Sequence, residues 1–143
     1  MKRRLCGTKG QSAVEFAFMI TIFFAFLFAL FDMAQICYNW SALQYSVNEG
    51  SRFGSIGNQN TAAISAQVQA TAAGLRIPAP VVQILDFNDV PIANQGSNPL
   101  VFFKLRADNV VNLNPVSAMM LTLMGNRGST YNVRAETVIR NEP

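Results

Sequence analysis

The chain has 143 residues, 50% of them hydrophobic, a net charge of +3 and no histidine. Without histidine there is no Ser-His-Asp triad, Cys-His dyad or histidine metal site, and Asp86, Asp89, Asp108 and Glu136 are not spaced like a metal or glycosidase cluster. Arg76, Lys104, Arg106, Arg127, Arg134 and Arg140 are interspersed with acids instead of forming a stripe, which argues against nucleic-acid binding. No catalytic residue, cofactor or metal is expected, and the chain does not read as an enzyme.

The N-terminus is basic: Lys2, Arg3, Arg4 and Lys9 precede Gly10. One long helix is predicted from Gln11 to about Arg52, roughly 60 Å at 1.5 Å per residue. Phe16 to Phe31 carries no charge and no helix breaker. With Ala13 and Val14 it approaches the ~20 apolar residues that cross a bilayer, so a transmembrane segment is expected over about 13–31. A secretory signal would end in a small-residue cleavage site, whereas this run continues through Phe31-Asp32-Met33 into further helix. The basic cluster precedes the span, so the positive-inside rule puts the N-terminus in the cytoplasm and the chain after Asp32 outside it.

Ala13, Ala17, Thr21, Ala25 and Ala29 recur at every fourth position, on one slowly drifting face. Such a ridge lets membrane helices approach closely, although alanine is also common in spans. Glu15 permits two explanations. An acid inside a span costs about 2.5–3.5 kcal/mol at mid-membrane and tends to be functional; an acid in the first turn of a helix is favoured by the macrodipole.

Gly10-Gln11-Ser12-Ala13-Val14-Glu15-Phe16, with its basic leader and apolar helix, resembles a type IV prepilin processing site. Together with Glu49-Gly50-Ser51-Arg52-Phe53-Gly54 it is similar to the TadE-like pseudopilins of tight-adherence (Tad) pilus systems. The resemblance covers about Gly10 to Gly54. It implies that a prepilin peptidase cuts between Gly10 and Gln11, and that Glu15, fifth after the cut, acts in assembly. It also implies that the helix packs against other pilin and pseudopilin subunits at an inner-membrane assembly platform. Gln11 stands where ordinary type IV pilins have phenylalanine, which favours the Tad branch.

Cys6 would leave with the leader, so the mature chain would hold only Cys37, as a buried thiol or a bridge between neighbours. Asn39-Trp40-Ser41 matches a glycosylation sequon but sits inside the helix. Beyond Asp32 the helix should turn Met33, Ile36, Cys37, Trp40, Leu43 and Val47 towards a globular domain, with Gln35, Asn39, Asn48, Glu49 and Arg52 outward. Gly50, Gly54 and Gly57 are expected to loosen the chain, with Gly57 to Asn60 as the exit loop. Thr61 is the expected cap of a second helix, Ala62 to about Leu75, ended by Pro78 and Pro80.

Strands are predicted at Val81 to Phe87, Leu100 to Asp108 and Tyr131 to Arg140, with turns at Asn88-Asp89 and Asn94 to Pro99. Asn114-Pro115 reads as a helix start and Gly125 as its stop. The segment between them is apolar almost all round, either a short core helix or loop plug, or an exposed Met-rich contact surface for a partner or the membrane interface.

The fold class expected is α+β, a small antiparallel sheet on a long N-terminal helix. The organisation expected is a removed leader at 1–10, the helix at 11–54 and an extracytoplasmic α+β domain at 55–143. The predicted role is a pilin-like subunit packed into or at the tip of a filament. The sizeable domain favours a minor subunit, since major Tad pilins are typically much shorter. The alternative is an uncleaved single-pass anchor in the lipid bilayer carrying a binding or sensing domain.

Overall fold

The computed structural model describes residues 8–55, 60–92, 103–123, 125 and 128–139. Its elements are α1 (Thr8–Ser55), α2 (Thr61–Gly74), β1 (Val81–Leu85), β2 (Phe103–Asn112), α3 (Pro115–Leu123) and β3 (Thr130–Ile139). The three strands form an antiparallel sheet in the order β1-β2-β3, and the class is α+β. The predicted Gly57 to Gln59 loop, the Asn94 to Pro99 turn and the strand start at Leu100 to Phe102 lie outside the described residues. Two compact units are present. One combines α1 up to Ala34 with Leu113–Ser129; the other holds Gln35–Asn112 and the chain from Thr130.

The second unit owns the main core. Ala42, Leu43 and Val47 of α1 and Ile64, Val68 and Ala72 of α2 pack with Ile84, Leu105, Ala107, Val111, Val133, Ala135 and Ile139 of the sheet. Strand alternation places the strand residues on one face, as their period of two requires. β2 runs on to Asn112, past the predicted end at Asp108, because Asn109 and Val111 continue the inward series and pair opposite Val133 and Tyr131. β1 is shorter than predicted: after Leu85 the chain turns back, with Asp86 N–H donating to Val90 O at 2.8 Å and Ile92 N–H to Ile84 O at 2.9 Å. Asp89 occupies the left-handed region at φ 61° within that turn, a conformation short polar side chains tolerate.

The predicted inward face of α1 is corrected. Leu43 and Val47 are buried and Ile36 half-buried, but Met33, Cys37 and Trp40 face outward, while Asn39 is buried. The buried face includes Ala42, Ser46, Gly50 and Gly54, small residues four apart. A Cβ on Gly50 would lie 2.3 Å from Val68 Cγ2, so α2 approaches the α1 backbone more closely than any side chain permits. These glycines therefore lie inside α1 as packing points and do not loosen its end. Asn39 and Ser46 tolerate burial because their side chains donate to helix carbonyls, Nδ2 to Gln35 O and Oγ to Ala42 O, both at 2.8 Å.

The cap of α2 is Asn60, one residue before the predicted Thr61. Its Oδ1 accepts from Ala62 N–H at 3.0 Å, and its carbonyl takes the first helical bond from Ile64 N–H. The helix ends before Pro78 by a Schellman turn. Arg76 adopts φ 56°, its N–H reaches Ala73 O at 3.0 Å, and Ile77 N–H reaches Ala72 O at 3.2 Å. The buried side chains of Ala72 and Ile77 supply the apolar contact that accompanies this motif.

Candidate functional site

The residues singled out by sequence lie along the first half of α1. Gly10 sits in the first turn with open space where a Cβ would be. Gln11 Nε2 donates to Glu15 Oε1 at 3.2 Å, a pair one turn apart. Glu15 is exposed and, because α1 begins at Thr8, it is not in the first turn. The macrodipole explanation therefore weakens for the uncut chain, since the effect fades within one turn. Cutting after Gly10 would return Glu15 to the helix start.

Ala13, Ala17, Thr21 and Ala29 are exposed and Ala25 is half-buried. Thr21 Oγ1 donates to Ala17 O at 2.8 Å, so its hydroxyl needs no partner from outside the helix. Around this ridge stand Phe16, Phe18, Met19, Phe23, Phe24 and Phe26, all exposed. The most apolar 18-residue window has a mean hydropathy of 2.4 and no buried residue. An apolar surface this large is unstable in water and calls for lipid or other helices around it.

Asp32, which closes the apolar run, was not identified from sequence as structural. It is buried, at 4% exposure, and its Oδ1 accepts from Asn114 N–H at 3.2 Å and from Asn114 Nδ2 at 2.8 Å. Its Oδ2 has no hydrogen-bond partner among the described residues. The local signals were present, an acid ending a span and an Asn-Pro helix start, but nothing in the sequence links positions so far apart. Cys37 is exposed, against the expectation of a buried thiol. It lines a shallow groove with Ile36, Trp40 and Tyr131 to Arg134.

Several charges pair on the outer sheet face. Lys104 Nζ lies 3.0 Å from both Asp89 Oδ1 and Glu136 Oε1, and Arg106 Nη2 lies 3.4 Å from Glu136 Oε2. Arg134 Nε donates to Asp108 Oδ1 at 2.6 Å. Hydrogen bonding from Lys104 holds the Asp89 and Glu136 carboxyls below their ordinary range, and the same contacts raise the Lys104 ammonium. No group of three His, Cys, Asp or Glu side chains that could hold a metal occurs among the described residues.

These features define an α+β protein with an N-terminal helix that fits a membrane anchor and offers its apolar faces for contact. Residues 10–52 match the family model of TadE-like proteins. The matched segment is nearly the whole of α1, from Gly10 through the Gly-Ser-Arg patch. No curated protein and no solved structure matches the chain.

Proposed function

We propose that the protein is a TadE-like pilin or pseudopilin subunit. It inserts in the inner membrane with its N-terminus cytoplasmic and is cut by a prepilin peptidase between Gly10 and Gln11. The mature helix then packs with other subunits into, or at the tip of, a Tad-type filament. The observation that supports this reading is the TadE-like match on a helix whose most apolar window holds no buried residue. Ala13, Ala17, Thr21, Ala25 and Ala29 form the helix-packing ridge, and Glu15 sets axial register against the new amine of a neighbouring Gln11. An unpaired charge in such a bundle costs several kcal/mol, so the pair rewards one register over others. Gly10 eases processing because glycine weakens the helix by about 1 kcal/mol relative to alanine at the turn that must open for the peptidase.

N-terminal sequencing and intact mass of the protein from its native host test the reading. The expected terminus is Gln11. A protein that retains Met1 to Gly10 would instead be an uncleaved anchor carrying a binding domain.

A further inference from the structure

Between β2 and β3 the chain departs to form α3. Pro115–Leu123 contains no charged residue. Ser117, Ala118 and Leu121 are half-buried on one side, while Val116, Met119 and Leu123, at three- and four-residue steps, are exposed on the other, Leu123 at 77%. This overturns the core-helix alternative for the segment. In water these three side chains have no partner.

The start of α3 is fixed to α1. Asn114 precedes Pro115, and its carbonyl accepts from Ala118 N–H at 2.9 Å, so it occupies the cap position with proline at the first helical position. The same Asn114 gives both its backbone and its side-chain N–H to Asp32. Asp32 is the first charged residue after the apolar run. If α1 spans the membrane, Asp32 marks the depth at which hydrocarbon ends on the far side. A helix about 13 Å long therefore begins at that depth with an uncharged, apolar outer side.

We propose that α3 lies in the extracytoplasmic interface of the bilayer, with Val116, Met119 and Leu123 among the acyl chains and the Asp32–Asn114 contact setting its depth. The inference rests on the membrane-anchor part of the proposed function. Lipid is favoured over a protein partner because α3 starts where the uncharged apolar run of α1 ends, at Phe31, whose side chain is exposed like those of Val116, Met119 and Leu123, and the two would lie in one medium. The absence of any charge on α3 also leaves a protein partner no ion pair with which to fix a register. A helix this short binds weakly by itself, and its tie to the spanning helix makes the insertion local and persistent.

The test uses the full chain with Cys6→Ser and Cys37→Ser, reconstituted in phosphatidylethanolamine–phosphatidylglycerol vesicles. A cysteine carrying an environment-sensitive fluorophore replaces Met119, Leu123 or, as the span control, Phe23. Blue-shifted emission at Met119 and Leu123 is expected, with quenching by nitroxides placed near the lipid headgroup and protection from aqueous iodide. Adding Asn114→Ala should reduce the lipid quenching at Met119. Iodide access at Met119 and Leu123 while Phe23 is quenched by deep nitroxides would overturn the inference and leave the anchor intact. A Phe23 probe beyond reach of lipid nitroxides would sink the anchor and this inference with it. Protection of Met119 from both quenchers would show that protein, such as a second copy, covers α3, and would equally overturn the lipid assignment.

Discussion

Single residues carry separable roles in α1. At Gly50 an added methyl would meet Val68 Cγ2 at 2.3 Å, a buried β-branched side chain with little rotameric freedom. Overpacking of this kind costs about 1–3 kcal/mol, which outweighs the ~1 kcal/mol gain in helix propensity from alanine. Gly50→Ala should therefore lower the thermal midpoint of the detergent-solubilised protein. Gly54→Ala should cost less, because its nearest contacts, Phe103 Cζ at 3.0 Å and Ile64 Cδ1 at 3.1 Å, are the outer ends of side chains. A larger drop at Gly54 than at Gly50 would contradict this packing account. Glu15 makes no fold contact beyond its Gln11 partner among the hydrogen bonds described. Glu15→Ala should insert and remain as stable as the parent but fail to co-purify with other pilus components. Equal recovery of the two proteins would reduce Glu15 to a helix-start acid.

At the scale of elements, α1 holds two small-residue ladders with the same four-residue step. Ala42, Ser46, Gly50 and Gly54 are occupied by α2 and the sheet. Ala13, Ala17, Thr21, Ala25 and Ala29 have only Ala25 half-covered. The occupied ladder shows how this helix accepts neighbours, and in the proposed function the open one receives a neighbour from another subunit. Ala17→Leu with Ala25→Leu should leave insertion unchanged, since leucine is apolar, and abolish piliation by forcing backbones apart. Wild-type piliation would remove the ridge from the mechanism. The long helix and the strand alternation of β2 and β3 were legible in the sequence because each is a local periodicity. The buried face of α1 was not legible by counting large apolar residues. Trp40 and Met33 are more hydrophobic than Ser46 and Gly50, yet close approach of a second element selects the smaller side chains. The exposure of α3 was equally hidden, because an all-apolar segment has no polar side to show which way it faces.

At the scale of the whole molecule, charge is divided by region. Four of the eleven basic residues precede Gly10, whereas Lys104, Arg106 and Arg134 of the sheet each face a carboxylate. Sequence showed that these charges alternate with apolar residues along the strands. It could not show the pairings, which depend on the antiparallel register placing Arg106 opposite Glu136 and Arg134 opposite Asp108. The register has a consequence for stability against pH. Asp89 and Glu136 titrate below their ordinary values, chiefly through hydrogen bonds from Lys104. A carboxyl depressed on folding stabilises the fold above its unfolded pKa, and that contribution is lost as pH falls through the folded value. Lys104 is raised, so its contribution is complete below its unfolded pKa and is lost as pH rises through the folded one. Stability should therefore be flat from about pH 5 to 9, fall below about pH 4 and fall again above about pH 10. The pairs are solvent-exposed, so the two limbs should be shallow and weaken with salt. Lys104→Met keeps the aliphatic stem and removes the ammonium. The variant should lose the alkaline limb and most of the acid limb attached to Asp89 and Glu136, leaving the smaller share that Arg106 provides. Thermal midpoints followed by circular dichroism from about pH 2 to 12, for parent and variant at low and high salt, give the comparison. Superimposable pH profiles for the two proteins would mean that the Lys104 contacts do not hold in solution, and would withdraw the electrostatic account of the outer sheet face.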